Sequence, residues 1–183
     1  MKLHFINTRP EAALLTFHKF GRYLAQILPT ERRAAETRAD IISTSPGWAG
    51  HVAFVDPIPE FMGSGDIEEW LSQPAKIVTL HPMTIMQNSL HGCFGQSGDI
   101  ANVPPKAATI GPIDVMRAKE RIEVHALLTN CTFSSWQRMT SRLVTHGPVT
   151  PLVPSSMLQT KKTQVYISDE IAAPFECWEK VGY

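Results

Sequence analysis

Cysteine is scarce in this chain of 183 residues, and its three copies, Cys93, Cys131 and Cys177, form no CxxC pair. That argues against a disulfide framework and suits a reducing compartment. Neither HExxH nor HxH occurs, so the tight ligand pairs that announce a zinc site are missing too. Seventeen basic and seventeen acidic residues cancel, which removes the bulk electrostatic case for nucleic acid or an anionic membrane. The opening MKLHFINTRPE has no apolar run, so no signal peptide is expected. No stretch approaches the roughly 18 apolar residues needed to span a bilayer. A cytoplasmic location is the resulting expectation. No glycine-rich phosphate loop follows any predicted strand, and there is no internal repeat.

Proline, by contrast, is plentiful, with 14 copies gathered in connecting segments. The charge is also uneven, since between residues 41 and 100 the only lysine or arginine is Lys76. TRPE at 8–11 has capping-box chemistry, and Ala13, Phe17, Phe20, Leu24, Ile27 and Leu28 behind it follow the helical period. Strands are expected at 2–7, 40–44, 51–55, 76–80, 120–133 and 163–168. Short helices are expected after Asp66 and Pro82, over 135–146 and at 174–183. The segment 91–112, rich in glycine and proline, reads as the longest irregular stretch, the kind of loop that often carries function. Together these predict one domain over 1–183 of α+β class, a mixed sheet with helices packed on it. A doubly wound α/β fold is the alternative.

Three constellations carry possible chemistry. In SWQRMTSRLVTHGP (135–148), Arg138 and Arg142 stand one helical turn apart, opposite the stripe of Trp136, Met139 and Leu143. Such a fork suits a phosphate, and His146 in the last turn adds a third potential cation. Arg138, Arg142 and His146 are therefore the predicted anion site. The alternative is an ordinary amphipathic helix with a solvated basic face. Cys93, between glycines in LHGCFG, is a nucleophile candidate with His125 or His146 as base. His81, His91, Cys93 and His125 lack metal-ligand spacing, so no metal is expected.

The segment VHALLTNCTFSSWQRMTSRLVTHG (124–147) resembles the strand-to-helix segment of flavin-dependent thymidylate synthases, which has the form EH-A-S-F-T-F, S-R-A, Q-L-V-R-H-R. His125, Ala126, Thr129, Leu143, Val144 and His146 fall on matching places. AKIVTLHPMTIMQNSLHGCFG loosely resembles that family's opening strand and cysteine-containing helix. The resemblance implies FAD as cofactor and a nucleotide substrate. The arginines with which the family holds its phosphates stand here as Gln137, Thr145 and Gly147. Two functional readings follow. One is a nucleotide- or phosphate-anion-binding protein with a nucleotide-like ligand, of which a small nucleotide-modifying enzyme is one form. The other is a non-catalytic assembly protein of viral or phage type, with a protein partner or a second copy of itself.

Overall fold

The computed structural model describes residues 39–90, 94, 96–126 and 136–174. The predicted strand at 2–7, the long helix built on Phe17 and Phe20, and the closing helix from 175 onward lie outside the described residues. So do His91 and Cys93.

The α+β expectation is met, but parallel and antiparallel pairing are segregated. β1 (Ile41–Thr44), β4 (Glu120–His125) and β5 (Gln164–Ile167) form a three-stranded parallel sheet in the order β1-β4-β5. β2 (Lys76–Thr79) and β3 (Lys106–Thr109) make a separate antiparallel pair. The parallel strands are joined by long connections containing helices, as parallel pairing requires. Strand β3 lies inside the segment expected to be irregular. Its sequence KAAT has no apolar alternation of its own, and it is held by pairing with β2.

Four short helices flank the two strands of the antiparallel pair along the chain. α1 (Pro59–Met62) and α2 (Ile67–Leu71) follow the first turn region. The Asp66 carboxylate accepts a hydrogen bond from the Glu69 amide, capping α2 as its sequence predicts. α3 (Pro82–Ser89) and α4 (Pro112–Arg117) each begin on proline, where a missing amide costs nothing. The apolar core gathers here, around Val52, Val55, Phe61, Trp70, Val78 and Val115. Lys76 crosses its edge with the ammonium 4.7 Å above the Phe61 ring, donating to the Glu60 carbonyl and to Gln73 Oε1.

α5 (Trp136–His146) lies on the parallel sheet, followed by a 3-10 helix (Pro154–Thr160), β5 and α6 (Asp169–Ala172). The segment expected to be extended around Pro151 and Pro154 thus turns into the 3-10 helix. The interface beneath α5 is polar. Strand register puts Thr44, Arg121, Glu123 and His125 on the face it covers, and all four are buried. The apolar row Ile122 and Val124 points to the opposite face, beside Ile41 and Tyr166. α5 is turned the same way. Gln137, Arg138, Thr140 and Ser141 are buried, whereas Met139 is 55% exposed and Leu143 42%. The expected outward basic face is therefore corrected: Arg138, only 5% exposed, points inward. Burial of these polar groups is sustained because each finds a partner, Gln137 Nε2 on the Ala126 carbonyl and Thr140 Oγ1 on that of Trp48.

Candidate active site

Residues 51–55, HVAFV, alternate like a strand but form a tight turn. Val52 and Val55 make a single bridge, and the Val55 amide donates to the Val52 carbonyl at 2.9 Å. Ala53 takes a left-handed conformation, φ 51°, to allow it. The turn folds Asp56 back onto His51, with Nδ1 and Oδ1 3.3 Å apart. α3 then supplies Thr84 from across the molecule. Its hydroxyl donates to Asp56 Oδ1 at 2.8 Å and lies 3.3 Å from His51 Nδ1. The His81 amide, at the start of α3, donates to Asp56 Oδ2 at 3.3 Å.

His51 is 6% exposed, and Asp56 and Thr84 are more deeply buried still. Burial pulls the imidazole below its ordinary pKa, the Asp56 carboxylate opposes that shift, and His81 reinforces it. The ring is thus poised neutral near pH 7. With Nδ1 turned to the carboxylate and the threonine hydroxyl, the assigned tautomer carries its proton there and leaves Nε2 as the basic nitrogen. Gly47 packs against that side of the ring. A Cβ built on Gly47 would lie 2.0 Å from Nε2, so only glycine fits. Two bonds to the His51 carbonyl, from the Gly47 amide and Ser155 Oγ, hold the backbone of the turn. The result is a buried, preorganised imidazole–carboxylate pair.

The predicted anion site is arranged differently from its sequence reading. Arg138 Nε donates to the Glu170 carbonyl at 2.8 Å. Arg142 donates to the carbonyls of Arg138 and Ile171, and to those of Ala172 and Ala173. The two guanidiniums thus close the C-terminal end of α6, where helix carbonyls lack amide partners. His146 is exposed, its Nδ1 2.6 Å from Thr145 Oγ1. His125 is buried, 2.7 Å from Ser141 Oγ through Nδ1. His81 joins the His51 cluster, away from His125. Among the described residues no group of three or more His, Cys, Asp or Glu is placed to hold a metal ion. No helix among them is long and apolar enough to cross a membrane.

Sequence reading passed over His51 and Asp56. The available signal was the GlyHis step after the SPGWAG turn, followed five residues later by Asp-Pro, itself a turn-forming dipeptide.

No protein-family model matches the chain. It is similar to the glucosamine-6-phosphate deaminase of Corynebacterium efficiens, 30% identical over 145 residues that make up 78% of this chain and 48% of that protein. The chain therefore spans about half the length of that relative. Among solved structures it is similar to a monomeric glucosamine-6-phosphate deaminase described as a missing link of the NagB superfamily. The TM-score there is 0.57 at 20% identity, covering 91% of this chain and 56% of that one. These similarities overturn the resemblance to flavin-dependent thymidylate synthases, and FAD loses its support with it. They also leave the nucleotide-modifying and viral-assembly readings without support. The chain shares the α/β fold of a sugar-phosphate deaminase.

Proposed function

We propose that this chain is an enzyme acting on an amino-sugar phosphate of the glucosamine 6-phosphate type, with His51 as its acid–base group and Asp56 orienting it. The observation that carries this is the buried His51–Asp56–Thr84 set in a chain similar to glucosamine-6-phosphate deaminases. Releasing the amine from such a sugar requires protons to move to and from oxygen, carbon and nitrogen. A neutral imidazole fixed in one tautomer is suited to that task. Asp56 would also stabilise the imidazolium formed when Nε2 takes a proton. In this reading the substrate phosphate is held by groups other than Arg138 and Arg142, whose guanidiniums are engaged with carbonyls.

The test is ammonia release from glucosamine 6-phosphate by the wild type, His51→Gln and Asp56→Asn, with folding checked by circular dichroism. Loss of a general acid–base group predicts a fall of about 10²-fold or more in His51→Gln. A wild type that releases no ammonia, or a folded His51→Gln that matches it, would overturn the proposal. The cluster would then be a structural lock on the 51–56 turn.

A further inference from the structure

A second feature lies away from His51, in the polar interior beneath α5. Glu123 is 1% exposed, and its Oε2 lies 3.3 Å from His125 Nε2 without the alignment of a hydrogen bond. Its other oxygen, Oε1, has no hydrogen-bond partner among the described residues. Such a carboxylate group is costly to bury unless a donor completes it. The side chain lines a cavity of about 360 Å³ between α5, the 3-10 helix and β5.

We propose that this cavity is a binding site for a small aliphatic ammonium ligand, whose charged head meets Glu123. The neutral polar side chains of its walls donate elsewhere. Thr145 Oγ1 donates to the Ser141 carbonyl, Gln159 Nε2 to those of Val144 and Gly147, and Thr163 Oγ1 to those of Leu158 and Lys161. Val144, Leu158 and Val165 supply the aliphatic part of the lining, and Lys161 completes it. A buried carboxylate in a cleft of mixed polar and aliphatic lining favours a positive head on a short alkyl stem, since a charge-assisted bond outweighs one from a neutral hydroxyl. The Lys161 side chain is exposed, so solvent screens its charge. The size suits a ligand of a few carbon atoms with accompanying water.

This inference is independent of the His51 chemistry, because neither His51 nor Asp56 lines the cavity. Calorimetric titration of the full chain with butylammonium chloride, butanol and sodium butyrate tests it. Butylammonium should bind at least tenfold more tightly than either analogue. Glu123→Gln should weaken it tenfold or more, and Val165→Trp, which adds bulk to the lining, should abolish it. His51→Gln should leave it unchanged, which separates this site from the proposed active site. No butylammonium binding up to about 10 mM, or equal binding by wild type and Glu123→Gln, would overturn the proposal. Preference for butyrate would overturn it as well, by making the cleft an anion site.

Discussion

His51 is the residue on which most of the chemistry turns, and its environment makes a checkable statement about pH. Its folded-state pKa is lowered from 6.5, chiefly by burial. Between that lowered value and about 6.5 the unfolded chain binds more protons than the native one, so stability rises with pH in that window. The contribution is full above about 6.5 and is lost as pH falls toward the native pKa. Urea midpoints should therefore drop from pH 7.5 to 5.5, and the drop should be smaller in His51→Gln. An identical drop in both proteins would show that His51 titrates alike in the two states. The same residue illustrates what the sequence concealed. HVAFV has the alternation of a strand, and only the backbone reversal at Ala53 turns Asp56 onto the imidazole. A side-chain pattern does not report a single left-handed residue.

At the level of elements, α5 tests whether its arginines serve the fold. Arg142 donates to four carbonyls, three of them at the end of α6. Arg142→Met keeps the aliphatic stem and removes those bonds, and should cost about 1.5–3 kcal/mol in denaturant unfolding. Added inorganic phosphate should shift the melting temperatures of wild type and variant equally. A larger shift in the wild type would restore the anion site expected from the i, i+4 spacing. Several elements were legible. The C-terminal end of α5, the Asp66 cap of α2, and strands β1, β2 and β5 all follow from local pattern. The orientation of α5 was not, because amphipathicity assumes that the apolar side faces inward. Here Ser141, Gln137 and Arg138 meet specific acceptors or a histidine on neighbouring elements, and those partners come from parts of the chain remote in sequence. β3 was missed for a related reason, its strand character being conferred by β2.

Taken whole, the described molecule has two unlike interiors. Around the antiparallel pair the core is apolar, and Phe61 is completely buried within it. Phe61→Ala should cost about 3–5 kcal/mol, the range for emptying a buried aromatic site. A cost below about 1 kcal/mol would place the core elsewhere. Beneath α5 the expectation reverses. Replacing Glu123 and His125 together by leucine removes two buried ionisable groups, and should be neutral or stabilising by about 1–4 kcal/mol. Glu123→Leu alone leaves His125 without its carboxylate and should be the less stable of the two variants. Strong destabilisation by the double change would mean that the polar interior supports the fold rather than a ligand.

The parallel pairing of β1 with β4 also bears on how fast the chain finds its structure. Thr44 donates to the Ile122 carbonyl across 78 residues, and no hairpin or local turn brings these strands together. Closing so long a loop costs entropy before any contact offsets it. The sheet should therefore form late, with refolding measured in milliseconds to seconds rather than microseconds. Until then β1 presents an unpaired edge in a chain still being assembled. Dilution or chaperone capture should raise refolding yield for that reason, and crowded refolding should lower it.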